Sequence, residues 1–428
     1  MVDRTPLTRE LRSAPPLPVD LPGWRHEAVI SNDDWLPAGF YAVGGDAGRR
    51  GRVAAVWSIA ANCTSAVTFT SNAIVGAPIL LARGDCNLLR VRAFAVHAAN
   101  ANVGGGNAGL REERLFRDAA AEASGIVSQY VLTAGTGVVG EPFEATTPAQ
   151  VISSLIRSEP ANRADRFAKA ITTTDRWQKC ATTTVKAADG KSYRISAQAK
   201  GAGMIEPRFA TLLCAIQTDA GLDAQTAQEL LSKAVSASFD RVSVDGQLST
   251  SDTCVLMANG RSGHDAGLDD ARRRVFVEHL TGILRYLAFQ IVRDGEGTER
   301  LAEVTVRGPV GDMEPIARAV ARSPLIKAAL HGGDPNFGRI MQAVGQAAGE
   351  HGIDISRLQV SLGGIKLASY GQITALTDAD QAELAAHAAG AVWSIFVNLV
   401  EDPAAGTTSI LFSDLSYEYV RINAEYTS

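Results

Sequence analysis

The sequence predicts a mixed α/β fold that turns α+β in its last third, and three observations carry the prediction. The chain has 428 residues, 46% of them hydrophobic and 20% charged, enough apolar side chain to bury a large core. Short β-branched runs alternate with segments whose apolar residues recur at helical spacing. Beyond Leu301 strand and helix patterns alternate more tightly, so the expected division is an N-terminal arm (1–35), a main α/β domain (36–300) and a C-terminal α+β lobe (301–428).

In chain order, the proline-rich residues 1–35 read as a surface arm. Residues 53–59 and 65–72 read as a pair of strands. The apolar run 89–97 leads into a loop of small and amide residues at 100–107, and residues 112–123 read as helix. A strand at 127–133 meets Ala134-Gly135-Thr136-Gly137-Val138-Val139-Gly140. Glycines there free backbone N–H groups beside a hydroxyl, as an oxyanion hole requires, although a plain turn has the same pattern. Thr147-Pro148 reads as a capped helix start. Residues 171–175 read as a strand end presenting polar groups, Asp223 as the cap of a helix, and residues 269–292 as a long helix with Phe276, Leu280, Ile283, Leu287 and Ile291 on one face. In the last third the expected elements are a strand at 301–307, a helix at 313–330 interrupted at Ser323-Pro324, a loop at 332–338, a strand at 358–362, a helix at 378–387 and a strand at 392–400.

Composition narrows the function. A net charge of −5, without a long Lys/Arg run, offers no electrostatic footprint for nucleic acid. The five cysteines are scattered, with no Cys-x-x-Cys pair, and read as reduced thiols rather than a disulfide or zinc framework. No residue cluster has metal-ligand spacing, no nucleotide-binding signature is present, and none of the seven histidines falls in a catalytic motif. The N-terminus lacks an apolar signal region and no uninterrupted apolar run reaches membrane-spanning length, so a cytoplasmic enzyme or binding protein is expected.

The stretch Lys200-Gly201-Ala202-Gly203-Met204-Ile205-Glu206-Pro207-Arg208-Phe209-Ala210-Thr211 joins a glycine-rich segment to the buried-strand pattern Leu212-Leu213-Cys214-Ala215-Ile216. A threonine stands at the junction. On composition alone it is a β-former, and Lys200 and Glu296 are solvated surface charges.

An ordered set of motifs changes that reading. Phe69-Thr70-Ser71-Asn72, Asn100-Ala101-Asn102, Thr136-Gly137-Val138-Val139-Gly140, Thr173-Thr174-Asp175 and Ala210-Thr211 are followed by Ser243-Val244-Asp245-Gly246 and Asp294-Gly295-Glu296-Gly297. The set closes with Asp334-Pro335-Asn336-Phe337-Gly338-Arg339-Ile340 and the tail from Asn423 to Ser428. Together these resemble the ornithine acetyltransferases of arginine biosynthesis, also called glutamate N-acetyltransferases, from about Pro37 to the C-terminus. The chain departs from the family pattern at His97-Ala98-Ala99, where Asn-Ser-Gly is usual, at Arg208-Phe209, and at Ser251 in place of an asparagine.

The resemblance implies a layered α-β-β-α sandwich like that of N-terminal-nucleophile enzymes. It implies self-cleavage between Ala210 and Thr211, giving an α chain of residues 1–210 and a β chain of residues 211–428. Thr211 would be the nucleophile activated by its own freed amine, and Thr136 with Gly137 the oxyanion hole. Thr173, Lys200, Thr211, Glu296, Asn423 and Ser428 would contact substrate, with Thr174 the alternative to Thr173. The implied reaction moves acetyl from N2-acetyl-L-ornithine to L-glutamate without metal or cofactor, with acetyl-CoA as an optional co-substrate, in an assembly of two α and two β chains. Two rivals stand beside it: a self-processing aminopeptidase or amidase that gives the acyl group to water, and an unprocessed relative kept as a binding or scaffold protein.

Overall fold

The computed structural model describes Trp24 and residues 30–31, 33–206 and 212–425. Two sheets form the first part of the molecule. The four-stranded sheet runs Phe40–Asp46, Arg52–Ser58, Ala93–Asn100, Val131–Val138, its last pair parallel. The five-stranded sheet runs Thr64–Phe69, Thr253–Ala258, Leu213–Thr218, Ser192–Lys200, Lys179–Lys186.

Alternation along the strands decides how these sheets stack. Phe40, Ala54, Val56, Phe94, Val96, Leu132 and Ala134 of the first sheet share one core with Leu213, Ala215, Val255 and Met257 of the second. The opposite face of the first sheet, with Val53, Ala55, Ala95 and Val131, packs on helices Gly106–Ser124 and Thr146–Ser158 through Phe116, Ala120 and Ile152. The outer face of the second sheet packs on helices Ala224–Ser236 and Asp270–Arg293. Helix, sheet, sheet, helix is therefore the layer order, as expected. Helix Asp270–Arg293 is long and apolar enough to cross a membrane by length and composition, but Phe276, Leu280, Ile283, Leu284 and Leu287 are fully buried in this core.

A third, seven-stranded sheet begins with Gln372–Ile373 and continues Ile365–Ser369, Gln359–Leu362, Val392–Asn398, Leu301–Arg307, Thr407–Ser413, Val242–Ser243. Helices Val310–Arg322, Pro324–Gly332 and Phe337–His351 cover it. Its edge strand Val242–Ser243 comes from before residue 300 and pairs in parallel with Leu411 and Phe412, which sews this sheet to the sandwich.

Several caps follow the expected chemistry. Asp223 accepts the Thr226 N–H at 2.9 Å, Asp269 that of Arg272 at 2.9 Å, and Ser323 begins a new helix where Pro324 breaks the old one. Other expectations differ. Strands Arg52–Ser58 and Thr64–Phe69 do not pair with each other; the second joins the other sheet beside Thr253–Ala258, because local alternation carries no information about the partner strand. Thr147 lies inside its helix rather than at its cap. The helix begins at Thr146, and the Glu112 carboxylate from the neighbouring helix accepts the Ala145 N–H at 2.8 Å. The described part of the arm is not free surface: Trp24 is buried in the core of the second sheet, and Ser31 exchanges backbone hydrogen bonds with Thr182.

Candidate active site

The sandwich brings strand ends from both sheets together. Thr136 and Gly137 lie near the end of Val131–Val138, not in a turn, while Lys200 is the last residue of Ser192–Lys200 on the facing sheet. Lys200 is 3% exposed and spans the gap: its Nζ donates to Thr136 Oγ1 at 3.1 Å and to Thr173 Oγ1 at 2.7 Å. An ammonium carries only donors, so both threonine oxygens accept and each hydroxyl keeps its own hydrogen to donate elsewhere. One Lys200 hydrogen stays without a hydrogen-bond partner among the described residues. The solvated charge expected from composition is thus a buried one.

Gly137 is required where it stands. Its φ is +126°, and a Cβ there would lie 2.2 Å from the Ala99 carbonyl carbon. Ala99 pairs with Gly137 just before a register shift at Asn100, and it holds φ +123° without being a glycine. His97, one of the departures, is on a strand rather than in a loop. It is buried, lies 3.1 Å from Glu113 Oε2 through Nε2, and stacks on Phe143 at 3.9 Å.

Residues 172–175 form a loop, not a strand end, between helix Asp165–Ala170 and strand Lys179–Lys186. Its two threonines separate: Thr173 faces Lys200, and Thr174 Oγ1 donates to Glu296 Oε1 at 2.7 Å. Glu296 is half-buried, and its Oε2 accepts from Asn423 Nδ2 at 2.8 Å, so helix Tyr417–Glu425 returns the C-terminal tail to the site. A Cβ on Gly203 would sit 2.7 Å from the Glu296 carboxylate, so the glycine makes room for that acid. Gly297, at φ +68°, similarly admits the tail helix, whose Tyr419 backbone N would be 2.3 Å from a Cβ there.

Several contributors carried no signal of their own in the sequence. Asp175 is fully buried; its Oδ2 accepts the Thr173 N–H and its Oδ1 the Gly201 N–H, both at 2.9 Å. Lys179 Nζ lies 2.6 Å from Asp175 Oδ1 and also reaches Asp294, which holds Arg176 at 3.0 Å. Burial opposes charge on Asp175, yet Lys179 and Lys200 hold its carboxyl well below the usual carboxylate range. Asp252 Oδ1 accepts the Leu212 N–H at 2.9 Å, its Oδ2 is buried without a hydrogen bond, and burial pushes its carboxyl well above the usual range. Asp175 and Asp294 did belong to quoted motifs; no spacing in the sequence marked Lys179 or Asp252.

On the incoming side of the cleavage segment, Glu206 is buried and accepts from Ser243 Oγ at 2.7 Å and Arg322 Nε at 2.6 Å, while Asp245 accepts the Met204 and Ile205 N–H groups. Ala210, Thr211 and Ser428, with the departures Arg208 and Phe209, lie outside the described residues. Ser251 is buried, and its hydroxyl meets that of Thr250 at 3.1 Å.

Comparison with known proteins agrees over almost the whole chain. The family model described as ArgJ family matches residues 42–428. The arginine biosynthesis bifunctional protein ArgJ of Agrobacterium fabrum is 37% identical over 367 residues, 84% of this chain and 87% of that protein. The protein of the same name from Symbiobacterium thermophilum is 35% identical over 414 residues, 92% of this chain and 99% of its own. A crystal structure of ornithine acetyltransferase from Mycobacterium tuberculosis, complexed with ornithine, matches with a TM-score of 0.39 and 25% identity over 43% of this chain and 99% of that one. The chain is thus an acyltransferase of arginine biosynthesis. It belongs to the ArgJ family.

Proposed function

We propose that the protein transfers acetyl from N2-acetyl-L-ornithine to L-glutamate through an acetyl-Thr211 intermediate, after cleaving its own Ala210–Thr211 bond. The observation that supports this most is the Lys200 ammonium, buried between the two sheets on Thr136 and Thr173. Antiparallel register pairs Lys200 with Leu213, two residues beyond the nucleophile.

For maturation, Thr211 Oγ attacks the Ala210 carbonyl, the amide becomes an ester, and water hydrolyses it. The freed α-amine has an ordinary pKa of about 8, so part of it is a base near neutrality. It takes the hydroxyl proton as Thr211 attacks the acetyl carbonyl of acetylornithine; the C–N bond breaks, and ornithine leaves with that proton. The amine of glutamate then attacks the ester, giving N-acetylglutamate and restoring Thr211. Thr136, its hydroxyl hydrogen free of Lys200, and the Gly137 N–H stabilise both oxyanions. Lys200 binds the substrate carboxylate with its remaining hydrogen, Glu296 binds the side-chain ammonium, and Thr173, Asn423 and Ser428 complete the contacts.

The word bifunctional in the names of both relatives favours a second activity, glutamate acetylation from acetyl-CoA. The site itself needs no metal or resident cofactor for these steps. In this proposal the protein works in the cytoplasm as two α and two β chains. Acetyl-labelled acetylornithine with glutamate tests it: label in N-acetylglutamate is expected, whereas label in acetate would mean an amidase. A single 45.1 kDa band on a denaturing gel would mean an unprocessed relative.

A further inference from the structure

Lys200 needs both a fixed position and a retained charge, and burial works against the charge. The titratable groups that act on it are Asp175, Lys179, Glu296 and Asp252. Among these, Asp175 alone also holds the backbone on both sides of the lysine's contacts. Its Oδ1 accepts the N–H of Gly201, the residue after Lys200, and its Oδ2 accepts the N–H of Thr173, whose hydroxyl receives the Lys200 ammonium. A single buried carboxylate therefore closes a ring: Lys200 backbone, Asp175, Thr173 backbone, Thr173 hydroxyl, Lys200 ammonium. Lys179, shared with Asp294 and fully buried with both acids, holds that carboxylate from behind.

We propose that Asp175 is a positioning residue for substrate binding, which aims the Lys200 ammonium at Thr136 and Thr173 and keeps it charged. This rests on Lys200 being the substrate-carboxylate ligand. Asp294 provides the internal control. It belongs to the same buried network through Lys179 and Arg176, but makes no hydrogen bond to Lys200, Thr173 or Gly201.

The test compares cleaved wild type, Asp175→Asn and Asp294→Asn for thermal stability and for kcat/KM across pH. Loss of the neighbouring negative charge should draw the alkaline limb of Asp175→Asn downward by about one pH unit or more, with raised KM for acetylornithine. Asp294→Asn should lose comparable stability and keep its alkaline limb close to wild type. Identical limbs in all three proteins, or equal displacement in both variants, would overturn the proposal. If Asp175→Asn gives no folded protein, Asp175→Glu decides. Retained charge with a displaced carboxylate should preserve the limb while kcat/KM falls; wild-type kcat/KM would overturn the idea, as would failure of both variants to fold. Absence of acetyl transfer in the wild type would count instead against the function from which the inference starts.

Discussion

Gly203→Ala separates the site from the fold. The added Cβ would lie 2.7 Å from the Glu296 carboxylate, whose oxygens hold Thr174 and Asn423 at 2.7 and 2.8 Å. Gly203 is outside the left-handed region of φ, so alanine brings no backbone strain. The three nearest atoms all belong to Glu296, the end of a flexible side chain, which moves cheaply. The cost to stability is then that of loosening the Thr174 and Asn423 hydrogen bonds at a partly exposed carboxylate, about 1–2 kcal/mol. The carboxylate must nevertheless leave its place and with it the substrate ammonium. A hydrogen bond to a charged group contributes about 1.5–3 kcal/mol. Because Glu296 is only half-buried, the lower figure applies, equivalent to about a tenfold rise in KM for acetylornithine. kcat should stay within about twofold, since uniform binding is lost rather than transition-state binding. Steady-state kinetics on fully cleaved protein, with a thermal melt alongside, supplies the answer. An unchanged KM would refute the placement of Glu296 at the substrate, and a collapse of the melting temperature would refute the packing argument.

Three further perturbations follow from the same geometry. Thr136→Ala removes an oxyanion donor and one acceptor of Lys200, so kcat should fall by about 10²–10³-fold with near-native stability; turnover within tenfold of wild type would remove Thr136 from the oxyanion hole. Asp252→Asn keeps an acceptor for the Leu212 N–H and removes an ionisation that burial opposes. With its folded pKa raised, Asp252 costs stability as pH rises from about 4 through the folded value, so the variant should match wild type near pH 4 and melt higher at pH 8. Equal melting curves at both pH values would contradict this. Ala99→Gly should raise stability by about 1 kcal/mol in denaturant titration, because relief of about 1–3 kcal/mol of strain at φ +123° exceeds the roughly 0.5–1 kcal/mol entropic cost of glycine; a destabilised variant would show that no strain resides there.

Periodicity and capping chemistry made much of the fold legible. The long helix appeared one residue from its observed start because Asp269 and five apolar positions at helical spacing agree, and Ser323-Pro324 marked a real break. Phe337–His351 escaped because Gly338, Gly345 and Gly349 interrupt its pattern; its buried Ile340, Val344 and Ala347 become a stripe only against the third sheet. The hairpin Lys179–Lys186 and Ser192–Lys200 was hidden for a related reason: Lys179, Gln198 and Lys200 are polar residues that the tertiary structure buries. Site residues within family motifs could be named from the sequence, and the structure brings Thr136, Thr173, Lys200, Glu296 and Asn423 into two linked clusters. The buried ionisable groups behind them, Lys179 and Asp252, could not, since their roles depend on partners far along the chain.

The central claim is that Thr211 becomes an N-terminal nucleophile that carries acetyl. Intact-mass analysis of the denatured protein, taken seconds after mixing with N2-acetyl-L-ornithine in the absence of glutamate, tests it directly. The account predicts two chains, residues 1–210 and 211–428, with one acetyl group added to the second and located on Thr211. A single uncleaved chain, or two chains with no acetyl on either, would contradict it.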